Sequence, residues 1–352
     1  MHVSAAAGQA WPPFVLVTGL LLVGLTAHRD GLFERAGQFL QGLGGPPVVL
    51  LAACLLLVAV VTAVLNLDTA VVFLTPVLVH AARGRGIEEE AFLYGSLYMA
   101  NASSLYLPGS NLTNLLVLAH QPISGGTFAV RMLVIALAAT LATMLGLFVL
   151  FRRRLRVTHG QPSERTPRSG LGLGLAGALA AAVLTVTLHN PAIPVLAVGI
   201  SLSVLQVARG RLQPREMVRA VGPAVLIALF ILCVALGALA RSWSGPAQLL
   251  DGAGRWGTTG IGALASVTIN NLPAAVLLSA RPVAHPRALL LGLNVGPNLA
   301  ATGSLSALLW WRVARVLGAQ PSFARFTRLG SPLAIFAILV ALGAAAVLPS
   351  SV

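Results

Sequence analysis

Nine stretches of at least 20 residues contain no Asp, Glu, Lys or Arg: 1–28, 36–67, 91–130, 132–151, 169–208, 220–240, 256–280, 288–311 and 329–352. A helix needs about 20 mostly apolar residues to cross a bilayer. In lipid the backbone must satisfy its own hydrogen bonds, so runs of this length and polarity read as helices. Of the 352 residues, 57% are hydrophobic and only 9% charged, against about 25% charged in a soluble domain. That excludes a soluble enzyme, a disordered chain and a secreted disulfide scaffold. The chain reads as an all-α polytopic membrane protein. The first stretch has no basic segment ahead of it, so it reads as a span and not a cleavable leader.

All 23 basic residues are arginine, and the net charge is +14. They lie between apolar runs, which points to membrane topology and away from nucleic acid. Residues 152–169 hold six arginines with Pro162 and Pro167, and residues 209–219 hold four more. A turn at His189-Asn190-Pro191 splits 169–208 into two helices, which returns both loops to one face. The positive-inside rule makes that face cytoplasmic. With 46–82 and 246–281 taken as re-entrant hairpins, 18 arginines fall inside and five outside, namely Arg131, Arg241, Arg255, Arg281 and Arg287. The expectation is eight spans plus two hairpins in a cell (cytoplasmic) membrane, with both termini outside.

One order of features occurs twice. Residues 1–151 give a span, a hairpin (46–82) with the polar tip Asn66-Leu67-Asp68-Thr69, a helix (91–120) broken at Pro108-Gly109-Ser110-Asn111, and a span. After the basic linker 152–169, residues 170–352 give two extra helices and a span. A hairpin (246–281) with Asn270-Asn271 at its tip follows, then a helix (286–317) broken at Gly296-Pro297-Asn298, and a last span. The hairpins enter from opposite faces, which makes an inverted repeat, a common construction of secondary transporters. Backbone that leaves the helix in a bilayer must line a polar, protein-enclosed space. Any one of these motifs alone also fits simple helix packing; four in matching order point to a site.

Asp68 is the acid that lies deep between apolar runs; the other eight fall in loops or at their edges. An ionisable group at such a place is functional by default. Burial favours the neutral form of a carboxyl, which suits a group that exchanges protons. Asp68 or Thr69 could equally cap the second arm of the hairpin. The cysteines Cys54 and Cys233 lie far apart in apolar runs, and neither a disulfide nor a metal site is expected.

The four motifs resemble the arsenite permease branch of the ion transporter superfamily, which also holds sodium/proton antiporters and divalent-anion/sodium symporters. The runs that carry the likeness are Asn66–Pro76, Gly109–Asn114, Ser266–Pro273 and Gly296–Trp310. This resemblance implies an alternating-access transporter, not an enzyme, exporting arsenite and antimonite against protons. It places Asn66, Asp68, Thr69, Ser110, Asn111, Asn114, Asn270, Asn271, Asn298 and Thr302 around substrate or ion, with Asp68 carrying the proton. It implies no cofactor beyond a proton gradient, with sodium an option, and leaves a homodimer and an ATPase partner subunit open. Asn294 stands where the family often has Asp, and Asn298 where Lys is common. Sodium/proton exchange or transport of a carboxylate or other oxyanion is the second reading. A passive channel is less favoured. So is an intramembrane enzyme using Ser110 with His80, His120 or His189 as base, because those histidines lie at expected helix ends.

Overall fold

A computed structural model describes residues 2–120, 123–155 and 172–346. Residues 156–169 of the expected basic linker, and residues 347–352, lie outside them. Among the described residues there are helices and no strands. The first half runs through α1 (His2–Arg29), α2 (Leu32–Gly42), α3 (Pro47–Val64), α4 (Leu67–Gly84), α5 (Glu90–Ser103), α6 (Leu112–Leu118) and α7 (Gly125–Phe151). Then come α8 (Leu173–Thr187), α9 (Ala192–Ala208), α10 (Pro214–Val221) and α11 (Pro223–Ser242). The second half ends with α12 (Gly245–Asp251), α13 (Arg255–Ile269), α14 (Asn271–Leu278), α15 (Pro286–Val295), α16 (Leu305–Val316) and α17 (Phe323–Ala346).

Among the described residues six helical segments are long and apolar enough to cross a membrane: α1, α3, α4, α7, the run Pro214–Ser242, and α17. Four of the expected eight spans, α1, α7, α11 and α17, are in this set; its other two members, α3 and α4, are the arms expected to form a re-entrant hairpin, and each is itself long and apolar enough to cross. Two of the eight, α5/α6 and α15/α16, are cut by 3-10 turns at Pro108–Ser110, Gly296–Leu299 and Ala301–Gly303, so neither piece reaches full length. Another two, α8 and α9, have only 15 and 17 residues. Three short helices, α2, α10 and α12, were not foreseen. The second hairpin, expected over 246–281, is narrower: its arms are α13 and α14, and residues 245–251 form the separate helix α12.

Polar contacts sort the helix ends into two faces. Arg83 pairs with Glu89 and donates to the Leu317 carbonyl (2.9 Å), and Arg85 donates to the carbonyls of Leu43 (2.9 Å) and Gly45 (2.6 Å). Arg154 pairs with Glu88 at 2.7 Å and with Glu90, which also pairs with Arg325. These bonds gather the start of α3, the end of α4, the start of α5, the ends of α7 and α16, and the start of α17. On the opposite face Arg241 donates to Gln9 Oε1 (2.5 Å), and Gln9 Nε2 donates to the carbonyls of Leu116 (3.0 Å) and Ser279 (3.2 Å). Arg131, Arg255 and Arg287 share a cavity there. The first hairpin therefore opens on one face and the second on the other, as the repeated order requires.

Close backbone approaches hold the second hairpin to its broken helix. A Cβ on Gly292 of α15 would lie 2.3 Å from the Thr259 carbonyl oxygen of α13. Only glycine permits that contact, the small-residue packing typical of membrane helices. The two halves also cross over: α4 of the first hairpin packs on α16, and α14 of the second packs on α6.

Candidate functional site

Each hairpin tip and each break ends in the start of a new helix. α4 begins after Asn66, whose Oδ1 accepts from the Thr69 N–H (2.7 Å). α6 begins after Asn111, whose Oδ1 accepts from the Thr113 N–H (3.2 Å). α14 begins after Asn270, whose Oδ1 accepts from the Leu272 N–H (3.4 Å). α16 begins after Ser304, whose buried Oγ has no partner. Asn and Ser recur here because their short side chains can satisfy the orphan N–H groups of a helix start. At about 1.5 Å per residue, α5 is roughly 21 Å long and α6 roughly 10 Å. The first tip touches the intervening turn, where Ser110 Oγ donates to the Ala63 carbonyl (3.0 Å).

Two contact sets join the halves at the tips and breaks. In the first, Asp68 in the opening turn of α4 accepts at Oδ1 from Ser306 Oγ in the opening turn of α16 (2.6 Å). Asp68 is half-buried, and both helix starts present positive dipole ends toward its carboxylate. Thr69 beside it is fully buried with an unpartnered hydroxyl, and the Asn66 amide nitrogen is likewise unpartnered. Thr69 packs on Gly24 of α1, where a Cβ would come within 2.5 Å of its methyl.

In the second set Asn294 is the hub. Its Oδ1 accepts from Ser104 Oγ (2.6 Å) and Asn111 Nδ2 (2.7 Å), and its Nδ2 donates to Asn114 Oδ1 (2.9 Å) and to the Leu290 carbonyl (2.8 Å). Asn114 in turn donates to the carbonyls of Ser104 (2.7 Å) and Leu107 (3.1 Å), closing the break onto itself. Asn298 accepts from Asn101 Nδ2 (2.8 Å) and donates to the Tyr98 carbonyl (3.0 Å). Buried amides of this kind are costly unless paired, and nearly all of these are paired across the two broken helices.

The ten residues expected at the site thus do not form one cluster. Asn66, Asp68, Thr69 and Ser110 gather at the first tip. Asn111, Asn114 and Asn298 lie in the buried amide network, where Asn298 works as a fastener between α5 and the second break. Asn270 lies on the second tip and Thr302 in the second break, which that tip touches. Asn270 Nδ2 donates to the Thr302 carbonyl (3.2 Å), Thr302 Oγ1 donates to the Val267 carbonyl (2.9 Å), and Thr302 is exposed. Asn271 is buried as the first residue of α14. Asn270 has φ 77°, a strained value for a residue with a side chain, and it turns the chain between the arms. Sequence reasoning missed Ser306, Asn101, Ser104 and the central role of Asn294. The polar run Asn101-Ala102-Ser103-Ser104 inside an apolar stretch was the available signal.

A cavity of about 810 Å³ opens from the face that holds Arg83. It runs between α2, α4 and α16, and its lining includes Glu34, His80, Arg83, Arg312, Val72 and Phe73. Val72 is one helical turn from Asp68. Among the described residues no group of three His, Cys, Asp or Glu side chains could hold a metal ion. Cys54 and Cys233 are buried and free.

Comparison with known proteins agrees with this architecture. The arsenical pump membrane protein of Yersinia enterocolitica is 26% identical over 372 residues, covering 96% of this chain and 86% of that protein. The protein of the same name from Escherichia coli K12 is 25% identical over 370 residues, with the same coverage. The crystal structure of the Alcanivorax borkumensis YdaH transporter, described as having an unusual topology, superposes with a TM-score of 0.63 at 15% identity, covering 98% of this chain and 87% of that one. Residues 2–302 match the profile of the citrate transporter family, CitMHS. The chain belongs to that family, within the ion transporter superfamily, and is a multi-span secondary membrane transporter.

Proposed function

We propose that the chain exports arsenite and antimonite in exchange for protons, by alternating access across the cell membrane. The observation that carries this reading is the Asp68–Ser306 contact. It is a carboxyl at a hairpin tip, bonded to the opposite half of the molecule at 2.6 Å, and Val72 one turn along α4 lines the cavity. Asp68 takes up and releases the proton. Arsenite at neutral pH is mainly a neutral trihydroxide, which suits amide and hydroxyl groups that both donate and accept. The unpartnered Asn66 amide, Thr69 hydroxyl and Ser304 hydroxyl supply such groups around the carboxyl. The arsenical pump relatives, at about a quarter identity, support this cargo.

In this reading the hairpins are re-entrant, and the halves 1–151 and 170–352 are inverted repeats. The loops 152–169 and 209–219 face the cytoplasm, so the cavity is open to the inside. Protonation of Asp68 neutralises the charge held between the starts of α4 and α16 and frees the tip to move against α16.

The name of the family profile favours a second reading, carriage of a carboxylate. A carboxylate calls for a cation near the site, and the residues that join the hairpin tips and breaks are amides and hydroxyls.

Uptake into everted vesicles, comparing arsenite, antimonite, sodium and succinate with and without a proton gradient, tests the proposal. Wild type should accumulate arsenite when a gradient is imposed. Asp68→Asn keeps an acceptor for Ser306 and should lose the gradient dependence. Accumulation unaffected by that substitution removes Asp68 as proton carrier, and accumulation of succinate without arsenite moves the assignment to the carboxylate.

A further inference from the structure

The face opposite the arginine-rich one carries few cations, yet three of them converge. Arg131 of α7, Arg255 of α13 and Arg287 of α15 line one cavity of about 290 Å³, with His285 beside them. The guanidiniums of Arg131 and Arg255 lie within coulombic reach of Arg287. Among the described residues no carboxylate pairs with any of the three. Arg255 is the first residue of α13, and Arg287 the second of α15. Both cations therefore stand at positive helix ends, where the macrodipole disfavours them. Like charges held together at such ends call for a bound anion.

The surroundings name the kind of anion. Val130 and Leu133 beside Arg131 are 64% and 46% exposed, and the exposed stripe continues along α7 through Leu137 and Leu141. Val134, Ile135 and Leu342 supply an apolar wall to the cavity itself. Trp256, next to Arg255, and Trp243 are both more than half exposed, the placement of aromatic residues at the membrane–water interface. A cationic pocket at that level, opening onto an apolar helix face, fits a phosphate group joined to acyl chains.

We propose that the cavity bounded by Arg131, Arg255, Arg287 and His285 binds the phosphodiester headgroup of an anionic phospholipid. The ligand braces α7, α13 and α15 against one another and so ties the outer end of the second hairpin to the frame. The shared chemistry with free phosphate is the tetrahedral oxyanion; the acyl chains against α7 separate the two.

Native mass spectrometry of the full chain in mild detergent tests this. The titrants are phosphatidylglycerol, phosphatidylcholine and inorganic phosphate. Wild type should retain phosphatidylglycerol about tenfold over phosphatidylcholine, given the attraction of several arginines for an anionic headgroup. Arg131→Gln/Arg287→Gln should bring that preference down to about twofold or less, while Arg215→Gln on the other face should leave it unchanged. If the double variant does not fold, Arg255→Gln at the exposed start of α13 takes its place, with a smaller loss in the same direction. Equal retention by wild type and variants overturns the site. Occupancy by inorganic phosphate with no preference between the lipids assigns the pocket to an adventitious or free ion and overturns the lipid.

Discussion

Replacing Asn294 by Ala removes the hub of the amide network without touching either hairpin tip. Four hydrogen bonds of 2.6 to 2.9 Å are lost. Their partners are not equally harmed. Ser104 Oγ has one hydrogen, which can go to the Asn101 carbonyl (2.8 Å) instead, and the Leu290 carbonyl still has the helix. Asn111 Nδ2 and Asn114 Oδ1 are left buried and unpaired. Each such group costs roughly 1–3 kcal/mol, so the variant should lose about 4 kcal/mol, a large share of the roughly 5–15 kcal/mol that holds a domain folded. Ser306→Ala is the comparison: it breaks one bond to a half-buried carboxyl and should cost about 1 kcal/mol. Equilibrium unfolding in mixed detergent and SDS micelles, followed by far-UV circular dichroism, reads both. A loss below about 1 kcal/mol for Asn294→Ala would refute the view that these amides clamp the two broken helices together.

Two substitutions probe the backbone around the site. A Cβ at Gly330 of α17 would lie 2.1 Å from the Asn298 carbonyl oxygen and 2.7 Å from the Tyr98 ring. Gly330→Ala should therefore push α17 off the second break and cost about 1–3 kcal/mol; an unchanged melting temperature would contradict it. At the second tip, Asn270→Gly and Asn270→Ala remove the same cap, but only glycine tolerates φ 77° at no cost. The glycine variant should be the more stable of the two by about 1–2 kcal/mol in the same unfolding assay. The reverse order would mean that the turn relaxes.

Much of the architecture was legible because lipid imposes simple rules. Apolar length marked the helices, and the Asn, Gly and Pro clusters marked where helices must stop, since a broken backbone in an apolar medium needs polar company. The two hairpins, the two breaks and the repeated order were read from those signals. Arginine spacing divided the helix ends between two faces, and the ion pairs of Arg83, Arg154 and Arg325 join ends on the same side of that division. The short helices α2, α10 and α12 were missed because length and apolarity say nothing about surface segments.

Asp68 stood out from the sequence alone, as an acid where acids are expensive, but its partner Ser306 lies 238 positions away and only the fold brings them together. Asn294 reads in the chain as one polar residue in an apolar helix; in space it meets Ser104, Asn111 and Asn114. Sequence fixes where the backbone must leave the helix, because that depends on neighbours along the chain. Which amide then faces which depends on how α4 crosses α16 and α14 crosses α6, and local composition does not encode those crossings.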